Sequence, residues 1–294
     1  MSEGIFGMVF LFLLEVLPIL EKKEVDISKL HWDISTKSYG NIFPEILKAK
    51  AESPIRYFQH RNIWKLKRLR SASFKQYALG DDFHSISKLF FKYFSIPEYL
   101  DDLASKMDVS DAIGIHFRGT DKTSDSKMNS PITKEEFYVI WDEYAAHNKV
   151  SKVFLATDEP EIYNYIKRHY SGIEVLKSRE FDHELFWRNH KDPLRNAREA
   201  MLDMLVLSKC KTVLKVSSAL SAFSKVVNPE LEIYRLNASK MFADIPYFPD
   251  AYIPLFKKNE KYSEVCNILI DKLQADDWSV YHKERFNSFM YKER

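Results

Sequence analysis

Between Asp111 and Leu236, short apolar runs alternate with longer amphipathic stretches, and this rhythm limits the fold more than any other feature of the chain. Ala112–His116, Val153–Ala156, Ile173–Leu176, Thr212–Val216 and Glu232–Leu236 read as strands. Thr133–His147, Glu161–Tyr170, Glu199–Lys209 and Ala219–Val227 read as the helices between them. Nearly continuous apolar runs suit strands buried on both faces, because a strand with one wet face would alternate. Strand–helix repetition of this kind implies a parallel, doubly wound α/β sheet. Local signals agree. Pro131 precedes the first of these helices, and Glu135 and Glu136 fall in its first turn. Met201, Leu202, Leu205 and Val206 line one side of the third helix, and Ser217-Ser218 forms a capped turn before the fourth.

Upstream the pattern is less regular. Gly4 and Gly7 bracket a tight turn that leads into a helix over Met8–Lys22, where glycines would let a ligand approach free backbone N–H groups. A strand normally precedes such a turn, yet only Met1–Glu3 stand before it. Leu30–Ile34 reads as a short strand, Ser38–Asn41 as a turn, and Ser85–Phe94 and Pro97–Met107 as two helices. The expected division is therefore a short N-terminal domain over residues 1–108 and a C-terminal domain over 109–294. The tail from Pro246, with one helix at Tyr262–Leu273, is expected to wrap back over the latter.

Composition narrows the function classes. A chain of 294 residues with 45% hydrophobic and 29% charged residues can bury a proper core. A formal net charge of +2 argues against a general polyanion binder, so any basic site must be local. The basic-aromatic stretch over residues 55–75, with Lys65, Lys67, Arg68 and Arg70, reads as a solvated helix face rather than a nucleic-acid patch. Cys210 and Cys266 lack the spacing of a zinc site or disulfide framework. They fit a reducing, cytoplasmic compartment, with Cys210 a buried structural thiol. Ile5–Leu20 is strongly apolar but short for a membrane span and interrupted by Glu15 and Pro18, so a buried helix is expected and no membrane span.

Chemistry-bearing residues gather where the strands end. Ala112–Ile115 breaks directly into His116, Arg118, Asp121 and Lys122; Val153–Ala156 ends in Thr157-Asp158-Glu159; and Thr212–Val216 ends in Ser217-Ser218. In an open parallel sheet, ligands sit beyond the carboxyl ends of the strands. Arg118 can bond a pyrophosphate bidentately, and the serine turn can offer N–H and hydroxyl donors. Each residue also has a plainer reading: Arg118 a surface ion pair, Asp158 a turn residue, Ser217 or Ser218 a helix cap. Asp203, between Leu202 and Met204, either faces solvent or turns inward.

The loop Gly114-Ile115-His116-Phe117-Arg118-Gly119-Thr120-Asp121-Lys122 resembles the His-x-Arg-Arg-Thr/Gly-Asp signature of the fucosyltransferase superfamily, especially the core α1,6- and nodulation fucosyltransferases. Val153–Pro160 is similar to the family's Leu-Ala-Thr-Asp-Asp-Pro stretch, and Asp203 through Leu207-Ser208-Lys209-Cys210 to Ser217-Ser218 is similar to its third block. Gly4–Gly7 resembles the family's first loop more loosely, and the likeness is good over residues 110–236. It implies a GT-B-like pair of Rossmann domains and a metal-independent, inverting transferase with GDP-fucose as donor substrate, no cofactor, and a glycan or glycoconjugate acceptor. It gives Arg118 the β-phosphate and the leaving GDP, Asp121 and Lys122 the shape of the loop, and Ser217 or Ser218 a phosphate contact. Asp158 and Asp203 would fix guanine, ribose or loop, and His116, Gly4 and Gly7 would complete the donor site. The chain departs from the pattern at Gly119, where the resembled enzymes carry a second arginine, and Asp125 is the nearest candidate for the base. A protein that binds the nucleotide sugar without turnover, and a transferase with another donor, are the alternatives.

Overall fold

In a computed structural model of the chain, residues 35–36, 40–41, 45–49, 83–119, 132–178, 193–237 and 245 are described. The expected N-terminal turn and helix, the strand at Leu30–Ile34, the stretch over 55–75, Cys266 and the tail helix lie outside them. In chain order the elements are β1 (Ser35–Thr36), β2 (Gly40–Asn41), β3 (Lys48–Ala49), α1 (Phe83–Tyr93), β4 (Phe94–Ser95) and α2 (Glu98–Ser105). There follow β5 (Ile113–Phe117), α3 (Lys134–Asn148), β6 (Lys152–Thr157), α4 (Pro160–His169), β7 (Glu174–Leu176), α5 (Pro193–Lys209), β8 (Thr212–Lys215), α6 (Ala219–Val227) and β9 (Glu232–Arg235).

The chain divides into two compact units that do not follow one cut in the sequence. One comprises Met1–Ser110, Ser178–Lys209 and Ala219–Leu231; the other comprises Asp111–Lys177, Cys210–Ser218 and Glu232–Arg294. The described part of the first is mainly helical. Phe90 on α1 is fully buried, with Phe94 stacked at 5.6 Å and Phe223 of α6 edge-on at 5.1 Å. α5 and α6 are tied by polar bonds as well as apolar contact: the Ser224 hydroxyl donates to the Met204 carbonyl at 2.9 Å, and Asn228 Nδ2 to the Ser208 carbonyl at 2.9 Å. Lys209 on α5 pairs with Asp101 on α2 at 3.1 Å. β1 with β2, and β3 with β4, form two short antiparallel pairs.

The second unit is built on a five-stranded sheet of order β7-β6-β5-β8-β9, with every neighbouring pair parallel. The chain starts at β5, winds outward through β6 and β7, then returns to the other side of β5 for β8 and β9. This is the doubly wound order expected from the sequence, and its switch point lies between β5 and β8. β5 is buried along its whole length, and Val153, Phe154, Val213 and Leu214 are fully buried, which is why these runs carry no polar alternation. α3 starts on a capping box in which Thr133 accepts from the Glu136 N–H at 3.2 Å and Glu136 accepts from the Thr133 N–H at 2.7 Å. Its Phe137 ring meets Phe117 of β5 at 5.3 Å, so the odd-numbered side chains of β5 face α3.

Gly40–Asn41, read as part of the turn Ser38–Asn41, instead form a strand, because they pair with Ser35–Thr36. From α1 onward, strand and helix limits agree with the sequence reading to within a residue or two, with one exception. α5 begins at Pro193, in what reads as a polar connection, rather than at Glu199. Polar Arg195, Asn196 and Arg198 hide the helix, but Pro193 suits a first turn, and buried Ala197, Ala200, Met201 and Met204 continue one face. Cys210 is buried, and burial pushes its thiol up to about 12, as suits a structural residue. Among the described residues, no helix is long and apolar enough to cross a membrane.

Candidate anion site at the sheet's carboxyl edge

Three of the strands that carry the sequence signals are neighbours, β6, β5 and β8, so the sheet brings their ends to one edge. His116 is the penultimate residue of β5 and is 5% exposed. It lies on the face opposite Phe117, away from α3. Arg118 follows directly and is half-buried. Gly119 donates its backbone N–H to Asp158 Oδ1 at 3.1 Å, which joins the loop after β5 to the loop after β6.

The next residue explains Gly119. The Glu159 N–H bonds to Thr157 Oγ1 at 3.0 Å, and its carboxylate reaches Lys134 Nζ on α3 at 3.3 Å. Between those anchors the Glu159 side chain lies against Gly119. A β-carbon there would stand 2.5 Å from Oε1 and 3.0 Å from Cγ. Gly119 has ordinary backbone angles, so any larger side chain there meets the Glu159 side chain rather than a conformational barrier. Burial raises the Glu159 carboxyl above its ordinary value, and Lys134 offsets only part of that.

This packing gives a direct prediction. Gly119→Arg should displace Glu159, break its pair with Lys134 and destabilise the protein by about 1–3 kcal/mol, as overpacking does. Glu159→Ala in the same chain should recover most of that loss. The measurement is a double-mutant cycle by urea unfolding, and additive single effects would refute the contact.

Ser217 and Ser218 follow β8, are 2% and 4% exposed, and immediately precede α6. The Ser217 N–H donates to Asn237 Oδ1 at 2.7 Å, and the ladder is prolonged on both sides by Val216 N–H to the His116 carbonyl at 3.1 Å and Leu236 N–H to the Lys215 carbonyl at 2.7 Å. The Ser217 hydroxyl is buried and has no hydrogen-bond partner among the described residues.

Two residues escape a reading of the sequence. Lys215 is the last residue of β8 and Arg235 the last of β9, and both are fully buried. Register places His116, Lys215 and Arg235 side by side in one row across three strands. Paired residues in a sheet share a face, so the row is basic on a single side. Arg235 Nε donates to the Ile245 carbonyl at 2.7 Å and so clamps the chain ten residues on.

Asp203 belongs to the other compact unit. It is 3% exposed on α5 and faces inward, accepting a short hydrogen bond from the Ser178 hydroxyl. Asp121, Lys122, Asp125, Gly4 and Gly7 lie outside the described residues. Among the described residues no three His, Cys, Asp or Glu side chains gather as a metal site would require. The described edge sets His116, Arg118 and the buried Ser217 hydroxyl at the ends of neighbouring parallel strands, the place where open α/β sheets take their ligands.

No protein-family model matches the sequence, and comparison with curated proteins finds no relative. Comparison with solved structures does find similar chains. The NodZ α-1,6-fucosyltransferase soaked with GDP-fucose superposes with a TM-score of 0.50 at 15% identity, over 78% of this chain and 91% of that one. NodZ from Bradyrhizobium gives 0.48 at 14% identity, over 76% and 90%, and POFUT1 in complex with GDP-fucose gives 0.36 at 11%, over 56% and 50%. The expected α/β fold with a parallel sheet is thus observed, and it is similar to that of the first of these structures.

Proposed function

We propose that the chain is a metal-independent, inverting glycosyltransferase that moves fucose from GDP-fucose to a glycan or glycoconjugate acceptor. The observation that carries the reading is the cluster at the switch point. His116, Arg118, the Gly119–Asp158 bond and the Ser217 turn stand at the carboxyl ends of three adjacent parallel strands. The fold shared with NodZ supports it. In the reaction an acceptor hydroxyl attacks the sugar's anomeric carbon, the bond from that carbon to the diphosphate oxygen breaks, and GDP leaves. The acceptor proton passes to a base, for which Asp125 is the candidate. Arg118 offsets the charge that develops on the diphosphate, a role that preorganised cations fill well.

The test is GDP release from GDP-fucose in the presence of a panel of glycan acceptors, with and without EDTA. Acceptor-dependent release that persists in EDTA supports the proposal. GDP binding without release on any acceptor would favour a protein that only binds the nucleotide. That second reading has its own observation, since Glu159 sets a carboxylate beside Gly119, where the resembled enzymes carry a second arginine. Release from a different nucleotide sugar would keep the class of reaction and change the donor.

A further inference from the structure

We propose that Lys215 is the buried cation of a diphosphate subsite at the ends of β5, β8 and β9, supplying the positive charge that Gly119 does not. Three observations converge. First, the row of His116, Lys215 and Arg235 concentrates basic groups on one face of the sheet, at its ligand-binding edge. Strands of a sheet lie only about 4.8 Å apart, so the three share one local potential. Second, the Ser217 hydroxyl, two residues beyond Lys215 and 2% exposed, is buried with no hydrogen-bond partner among the described residues. A native fold rarely leaves such a group unsatisfied unless a ligand or water completes it. Third, Asn237 fixes the Ser217 backbone at 2.7 Å, so the hydroxyl is held by a built turn.

Lys215 is a positioning residue, not one that touches the reacting atoms. Its side chain is fully buried, and it acts on an anion by its field across a low-dielectric edge, where a charge is screened far less than at the surface. Arg235 has a different task, because its Nε is committed to the Ile245 carbonyl. The proposal rests on the nucleotide-sugar reading only for the identity of the ligand that brings the diphosphate.

The probe is inorganic pyrophosphate, titrated calorimetrically into the full chain at two salt concentrations. Wild type should bind it, with affinity that falls as salt rises. Lys215→Met keeps most of the side chain's length without the charge. It should weaken pyrophosphate by on the order of tenfold or more at both salt concentrations, because a poorly screened charge acts at either. Ser217→Ala serves if Lys215→Met does not fold, and should weaken pyrophosphate several-fold with the melting temperature unchanged. No binding by wild type, or wild-type affinity in whichever variant folds, overturns the subsite. Pyrophosphate binding that depends on Lys215, in a protein that turns over no GDP-fucose, would uphold the subsite and reject the fucosyltransferase reading. Turnover of GDP-fucose with no effect of Lys215→Met or Ser217→Ala would do the reverse.

Discussion

Arg118→Ala should lower GDP-fucose turnover by about two to three orders of magnitude, the loss typical when one preorganised charge stabiliser is removed. Arg118 stands one residue beyond β5, beside the switch point, and is half-buried rather than packed into the core. The melting temperature should stay close to wild type, as for substitutions that empty no core volume. Arg118→Lys separates charge from geometry. An ammonium keeps the charge but cannot form two parallel bonds to a phosphate, so partial recovery is expected. Both variants are read by GDP release and by GDP affinity. Full turnover in Arg118→Ala would remove the residue from the mechanism, and equal loss in both variants would make the bidentate fork essential.

The strands were legible because parallel strands buried on both faces must be apolar throughout, and Ile113–Phe117 and Lys152–Thr157 are nearly so. Their polar ends were legible for the same reason: His116, Arg118, Asp158 and Ser217 stand out against apolar runs. What the sequence hid depends on register. In the sequence Lys215 is one charge within an apolar strand, and Arg235 one of several polar residues in Glu232–Leu236. Only pairing of β5 with β8 and of β8 with β9 reveals that they fall in line with His116. The meaning of Gly119 was hidden likewise. In the sequence it is a missing arginine, whereas in space it is the floor beneath Glu159, forty residues later. Asp203 could have faced either way, because one acidic residue in a helix carries no direction until its partner, Ser178, is placed.

The Gly119–Asp158 bond makes the second large prediction. The bond spans the ends of two neighbouring strands at 3.1 Å, and the loop that carries Arg118 hangs from it. Asp158→Ala removes the acceptor and leaves the Gly119 N–H without that partner. The loop should then relax, and an error of about 1 Å in a positioned group can cost on the order of a hundredfold in rate. Asp158→Asn keeps an amide oxygen that can accept from the same N–H and removes only the charge. If Asp158 works by holding the loop, the asparagine variant should retain turnover within about threefold of wild type, which lies inside the effect of replacing a charge-assisted bond by a neutral one. The Glu159 N–H bond to Thr157 is independent of this change and should keep the following turn in place in both variants. Turnover and GDP affinity, measured together, decide the matter. A hundredfold loss in both variants would mean that the carboxylate itself contacts the ligand. Wild-type rates in both would mean that the loop stands without the bond.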